Sequence, residues 1–161
     1  MGIQERVVHK LGLARCFNWR RSVTLEGRRV RIPFQDGNML TENEPWFTPY
    51  LAAFLKARAG LFVDIGVNLG QTLLKVKCIE PERHYAGFEI ASECVHYVLE
   101  LVRANDFRNV TIIPVGLADA LKSVALLSDS ATDSCASIVP GFRDCNYKRR
   151  TVALVVKGDD I

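Results

Sequence analysis

Acidic and glycine residues cluster where a predicted strand ends in the middle of the chain. The strand, residues 61–65, contains Asp64 and leads into a turn with Gly66, Asn68 and Gly70. A ligand at the carboxyl end of a strand needs the main chain to come close, and side chains on the turn would obstruct it. The two glycines give this clearance, and asparagine tolerates a positive φ better than most residues. A predicted helix then points free N–H groups toward the turn.

A second carboxylate strengthens this prediction. Glu89 ends the next predicted strand, 25 residues after Asp64. Doubly wound folds hold a ribose through its two hydroxyls near this position. An ionised carboxylate can accept both hydrogen bonds, each contributing about 1.5–3 kcal/mol. The turn alone is equally typical of a plain strand–helix connection, but the turn and Glu89 together predict a nucleoside site.

The spacing of the glycines distinguishes between possible nucleoside ligands. A dinucleotide site has the pattern G-x-G-x-x-G, because the helix must meet a pyrophosphate. This chain has G-x-x-x-G preceded by Asp64, and a carboxylate there would repel a pyrophosphate. S-adenosylmethionine has a sulfonium and an α-ammonium group and no phosphate. The electrostatics therefore favour S-adenosylmethionine as the cofactor.

Strands and helices alternate from residue 61 onward. The predicted strands cover 61–65, 84–88 and 110–115, and the predicted helices cover 71–79 and a stretch that Ser92 caps. The second helix has an apolar face made of Cys94, Val98, Leu101 and Val102. This alternation is typical of a βαβαβ unit with a parallel sheet and right-handed crossovers. Two further strands, 123–127 and 151–156, are predicted on either side of a polar loop, 128–145.

Residues 1–59 are predicted to form a basic lead-in before a domain that covers 60–161. The lead-in has a β-hairpin over 22–34, a turn at 35–38 and a helix that Thr48 caps, with Pro49 as its first residue. The helix has Tyr50, Leu51, Phe54 and Leu55 on one face, and Gly60 is placed for its C-terminal cap.

Three segments of the chain, at 63–72, 85–89 and 109–119, carry a family pattern. They read VDIGVNLGQT, YAGFE and NVTIIPVGLAD. The pattern resembles the FkbM-type family of S-adenosylmethionine-dependent methyltransferases, although Val67 replaces the family's usual alanine and Ile90 stands where a proline-containing turn is usual. The resemblance implies a Rossmann-like class I methyltransferase fold, a three-layer α/β/α arrangement with a mostly parallel sheet. It also implies O-methylation of a sugar or another small-molecule hydroxyl.

The same resemblance implies roles for individual residues. Residues 64–70 would surround the methionine part of the cofactor, Glu89 would bind the ribose hydroxyls, and residues 116–119 would border the adenine. The implied cofactor-binding set is Asp64, Gly66, Asn68, Gly70, Gln71, Glu89 and Asp119. Asp159 and Asp160 resemble the start of the family's next conserved block. The fold is therefore expected to be incomplete at the C-terminus, and we assign neither a catalytic base nor metal ligands.

Composition limits the class of protein. The 161 residues are 48% hydrophobic and 24% charged, as in an ordinary globular domain. No apolar run approaches the roughly 18–20 residues that span a bilayer, and no signal peptide is recognisable, so the prediction is cytoplasmic. The five cysteines include no C-x-x-C pair, which argues against a zinc ribbon. Cys78 and Cys94 are predicted to be buried, and Cys135 and Cys145 to be exposed.

Charge and length leave other functions open. Residues 1–31 have eight basic residues against two acidic ones, whereas the whole chain has a net charge of +3. A basic lead-in can contact nucleic acid, a membrane surface or a phosphorylated acceptor. The alternatives to a methyltransferase of sugars or small molecules are a non-catalytic module that binds the cofactor or a partner, an NAD-type dehydrogenase domain and a nucleic-acid methyltransferase.

Overall fold

The computed structural model describes residues 19–35, 38–41, 44–142 and 147–161. Within these residues the strands form three three-stranded sheets, in the orders β1-β2-β3, β4-β5-β6 and β7-β9-β8. The strands are β1 (Trp19–Leu25), β2 (Arg28–Gln35), β3 (Asn38–Met39), β4 (Phe62–Ile65), β5 (Tyr85–Phe88), β6 (Val110–Ile113), β7 (Gly116–Ala118), β8 (Lys122–Ser128) and β9 (Arg149–Lys157). The helices are α1 (Phe47–Ala57), α2 (Gln71–Ile79) and α3 (Ser92–Asn105), and a short 3-10 turn covers Gly158–Asp160.

The predicted N-terminal hairpin is confirmed. Strands β1 and β2 pair in antiparallel register from Trp19↔Phe34 to Leu25↔Arg28, slightly longer than predicted. Glu26 and Gly27 both have positive φ, 48° and 73°, as a tight turn between twisted strands requires. The predicted turn at 35–38 lies partly outside the described residues.

The βαβαβ unit is also confirmed. Strand β5 lies between β4 and β6, and both pairs are parallel, with Phe62↔Tyr85 and Tyr85↔Val110 in register. Helices α2 and α3 connect these strands. Parallel strands need such crossover connections, and they bring the carboxyl ends of all three strands to one edge of the sheet.

Two clusters of buried side chains hold the elements together, and both include residues of α2 and α3. The first joins these helices to the hairpin, and the second joins them to α1, to β5 and to the turn after β4. On the other face of the parallel sheet, Val63 and Ile65 are 51% and 66% exposed. In the described part of the chain, this face of β4 therefore has no helical layer over it.

The predicted N-cap of α1 is wrong. The helix begins at Phe47, so Thr48 lies inside it and Pro49 is its third residue. The N–H groups of Phe47 and Thr48 donate to the carbonyls of Glu44 and Pro45, at 3.0 and 3.4 Å. A backbone turn therefore replaces the side-chain cap. The Thr48 hydroxyl is buried and lacks a hydrogen-bond partner among the described residues.

The predicted apolar face of α1 is half right. Leu51 and Leu55 are buried, but Tyr50 and Phe54 are exposed. Tyr50 and Phe54 lie beside the buried pair on the helix, and their rings make edge contacts with Trp46 and Phe62 instead of entering the core. The predicted C-cap is also wrong, because α1 ends at Ala57 with an extended Arg58. Gly60, with φ of 105°, belongs to the turn before β4.

Helix α3 buries the face that its sequence predicts. Cys94, Val98 and Leu101 are fully buried, and Val102 is partly buried. Its predicted cap is wrong, because Ser92 is the first helical residue and its hydroxyl contacts Glu93 at 3.0 Å.

The C-terminal strands form a mixed sheet. Strand β9 is parallel to β7 and antiparallel to β8, which confirms the strands predicted over 123–127 and 151–156. The described part of the polar loop between them is irregular apart from a bridge between Leu127 and Ser137. No described helix is long and apolar enough to cross a membrane.

The cysteine predictions can be checked at three positions. Cys78 and Cys94 are buried, as predicted, and Cys135 is half-buried, not exposed. Cys16 and Cys145 lie outside the described residues.

Candidate functional site

The turn after β4 lies over the end of β5. Three of its residues, Gly66, Asn68 and Gly70, have positive φ, at 83°, 49° and 85°. The N–H groups of Gly66 and Val67 both donate to the carbonyl of Phe88, at 2.9 and 3.2 Å. The left-handed conformation predicted for Asn68 is therefore observed, and the turn is fixed against the neighbouring strand.

The two glycines of this turn have different roles. A Cβ on Gly66 would meet no atom within 4 Å, so this main chain is open to a ligand. A Cβ on Gly70 would lie 3.0 Å from Leu101 Cδ2 and 3.5 Å from Val98 Cγ2. The predicted clearance therefore fits Gly66, whereas Gly70 allows the turn to pack closely against α3.

Glu89 connects this turn to the start of α3. Its carboxylate accepts hydrogen bonds from the N–H of Asn68 at 2.6 Å and from the N–H of Ala91 at 2.8 Å. Glu89 is only 6% exposed. A carboxylate oxygen can accept more than one hydrogen bond, so each oxygen still has a lone pair for a ligand. The sequence predicts the position of Glu89 but not these two backbone partners.

Asp64 has a partner that sequence reasoning missed. The hydroxyl of Tyr85, on the neighbouring strand, donates a hydrogen bond to the Asp64 carboxylate. Burial raises the pKa of Asp64, and the hydrogen bond from Tyr85 opposes this shift. Burial and the nearby carboxylate raise the pKa of Tyr85, so its hydroxyl keeps its proton and remains a donor. The available signal was a tyrosine two positions before Gly87, on the face of the sheet shared with Asp64.

Two further residues complete the surroundings of the turn. The side-chain amide of Asn68 donates to Cys94 Sγ at 3.7 Å. Burial raises the pKa of Cys94 to about 12, which keeps this group a neutral thiol. Gln71 is the first residue of α2 and is half-buried. The structure thus brings the turn, Gln71 and Glu89 to one edge of the parallel sheet.

Asp119 lies in a different environment. It follows β7, in the sheet that β7 forms with β9 and β8. Its side chain is 82% exposed and pairs with Lys122 at 2.7 Å, and the hydrogen bond from Lys122 lowers the pKa of Asp119. The described contacts do not join Asp119 to Glu89, so its place beside the adenine stays a prediction.

The start of α3 also contacts the C-terminal strands. Glu93 forms an ion pair with Arg149 of β9 at 2.7 Å. Glu93 lies four residues after Glu89, so this pair connects the start of β9 to the first turn of α3.

Comparison with known proteins identifies the family of this chain. No curated protein matches the chain. Residues 58–151, more than half of the chain, match the model of a family described as "Putative methyltransferase". The matched region begins just before β4 and includes the turn, Glu89 and the strands up to the start of β9. The chain therefore belongs to this family of methyltransferases.

Proposed function

We propose that the chain is an S-adenosylmethionine-dependent methyltransferase that binds its cofactor at the edge of the parallel sheet formed by the turn after β4 and Glu89. The observation that carries the proposal is the pair of carboxylates, Asp64 and Glu89, on either side of a turn whose main chain is bare at Gly66.

The chemistry of the donor set fits this cofactor. Asp64 accepts a hydrogen bond from a hydroxyl and Glu89 accepts two from backbone N–H groups, so the donors that hold both side chains are neutral. This suits a sulfonium and an α-ammonium group and disfavours a pyrophosphate. In the proposed site, Glu89 binds the ribose of the cofactor. The methionine part of the cofactor is surrounded by five residues, Asp64, Gly66, Asn68, Gly70 and Gln71. Asp119 would border the adenine.

The resemblance to the FkbM-type family supports the finer parts of the proposal. These are a Rossmann-like three-layer fold and an acceptor hydroxyl on a sugar or another small molecule. When bound, S-adenosylmethionine would supply a methyl group: an acceptor oxygen would bond to the methyl carbon in line as the carbon–sulfur bond breaks. S-adenosylhomocysteine would be the leaving group, and the proton of the acceptor hydroxyl would pass to solvent. The residues of the site would hold the reacting atoms in line and exclude water, which accounts for much of the acceleration in such transfers.

Thermal denaturation with two ligands tests the cofactor assignment. S-adenosylhomocysteine at about one hundred times its Kd should stabilise the fold by about 2.7 kcal/mol, which corresponds to roughly 5–10 °C in Tm. NAD at the same concentration should leave the Tm unchanged. Stabilisation by NAD and not by S-adenosylhomocysteine would contradict the assignment and favour a dehydrogenase-type domain. Cofactor binding without methyl transfer to any acceptor tested would favour the non-catalytic module.

A nucleic-acid acceptor is the second candidate, because one face of the hairpin is strongly basic. Arg29 and Arg31 lie opposite Thr24 and Ser22, so they share this face with Arg20, and all three are exposed. If this face binds RNA, the logarithm of the binding constant should fall with the logarithm of salt concentration by about 0.7–0.9 per phosphate contacted. Filter binding of a mixed RNA pool at several salt concentrations measures this slope. An absence of binding at low salt would exclude this candidate.

A further inference from the structure

Tyr85 occupies an unusual position beside the proposed cofactor site. It lies in β5 opposite Phe62 of β4, while Asp64 lies opposite Gly87, two residues further along. Alternate residues of a strand share a face, so Tyr85, Gly87, Phe62 and Asp64 all point to the same side of the sheet. The Tyr85 hydroxyl donates to Asp64 across this face.

The missing side chain at Gly87 makes this reach possible. A Cβ on Gly87 would lie 2.9 Å from the Tyr85 ring and 2.5 Å from Val67 Cγ2. The Tyr85 ring therefore leans along β5 over Gly87 toward Asp64, and Val67 of the cofactor turn packs into the same space. Tyr85 is 1% exposed, and its ring stacks on Phe62 with 5.8 Å between centroids.

Such packing leaves the Tyr85 hydroxyl little freedom. The hydrogen bond occupies one oxygen of Asp64, Oδ2, and holds the carboxylate in one orientation. A group fixed before the ligand arrives does not lose conformational entropy on binding, so the interaction is stronger. Asp64 precedes the turn by two residues, on the side where the proposal above places the methionine part of the cofactor.

We infer that Tyr85 is a positioning residue that orients the Asp64 carboxylate toward the α-ammonium group of the cofactor. This inference rests on the proposed function and adds a residue that acts through Asp64. It predicts that the Tyr85 hydroxyl increases the affinity for ligands that have the amino-acid part of the cofactor and does not change the affinity for ligands that lack it. A purely structural role would affect both kinds of ligand equally.

Two ligands and two tyrosine variants test the inference. S-adenosylhomocysteine has the amino-acid part, and 5′-methylthioadenosine lacks it. In the Tyr85→Phe variant, calorimetric titration should show about tenfold weaker binding of S-adenosylhomocysteine and unchanged binding of 5′-methylthioadenosine, since about 1.4 kcal/mol corresponds to a factor of ten. The matched control is Tyr97→Phe. Tyr97 is also buried, but its hydroxyl bonds the backbone of Leu40 and Pro33 at 2.7 and 2.6 Å, so its loss should change neither affinity.

The results for the two ligands distinguish failure of the inference from failure of the proposed function. An equal loss for both ligands, or no loss for either, in Tyr85→Phe overturns the inference and leaves the proposed function standing. A parent chain that binds neither nucleoside overturns the proposed function and, with it, this inference. If Tyr85→Phe does not melt cooperatively, Asp64→Asn takes its place, because it keeps the shape of the carboxylate and removes its charge. Asp64→Asn should show the same selective loss, and an equal loss for both ligands in that variant also contradicts the inference.

Discussion

Glu89→Ala is expected to weaken binding of S-adenosylhomocysteine by more than about 100-fold. In the proposed site the Glu89 carboxylate accepts hydrogen bonds from two ribose hydroxyls. Hydrogen bonds to a charged group contribute about 1.5–3 kcal/mol each. The same carboxylate holds the N–H groups of Asn68 and Ala91, so the variant also frees the turn from the start of α3. Calorimetric titration measures the affinity, at a temperature where circular dichroism shows the variant to be folded.

Glu100→Ala is the matched control for this change. Glu100 lies on α3 and forms a surface ion pair with Arg103, which contributes little to stability. Its removal should leave both the affinity and the Tm close to those of the parent. A folded Glu89→Ala variant that retains S-adenosylhomocysteine as tightly as the parent would show that the ribose site lies elsewhere.

Lys77→Met should lower the free energy of unfolding by more than about 3 kcal/mol. Lys77 is 1% exposed, and its ammonium donates to three carbonyls, those of Pro81 at 3.2 Å, Arg83 at 2.5 Å and Arg108 at 2.6 Å. The first two carbonyls lie in the connection into β5 and the third in the connection into β6. These three hydrogen bonds are partly buried, and a carbonyl left without a donor away from water costs about 1–3 kcal/mol. Together these costs are a large part of the total unfolding free energy of a domain, which is about 5–15 kcal/mol.

Urea denaturation measures this difference, and Lys56→Met is its control. Lys56 is an exposed lysine in the last turn of α1, so its replacement should change the free energy of unfolding by no more than about 0.5 kcal/mol. If Lys77→Met unfolds at the same urea concentration as Lys56→Met, Lys77 does not stabilise the connections into β5 and β6.

Helix ends show where local sequence is insufficient. Thr48 and Ser92 are good N-cap residue types, yet neither caps its helix. At α1 the carbonyls of a preceding backbone turn accept the first N–H groups, and at α3 Glu89 accepts the N–H of Ala91. Capping propensity describes what a side chain can do, and the path of the preceding chain determines whether it is needed.

The exposed side chains of α1 show that local sequence is also insufficient to predict which apolar residues are buried. Periodicity places Tyr50, Leu51, Phe54 and Leu55 on one side of the helix, but only the leucines are buried. A helical stripe of four residues is wider than the contact that α1 makes with α2 and the turn after β4. The width of that contact depends on neighbouring elements and not on the helix itself.

The amino-acid sequence alone determined the order of the strands and helices and the positions of Asp64 and Glu89 at two adjacent strand ends. These follow from hydrophobic periodicity and turn residues, which act over a few neighbouring positions. Only the tertiary structure decided which groups hold the two carboxylates. The backbone N–H of Asn68 and the hydroxyl of Tyr85 each donate to a carboxylate 21 residues away, and such pairs depend on strand register and on the path of the turn. Register brings distant residues together through the packing of whole elements, and no local pattern of residues encodes that distance.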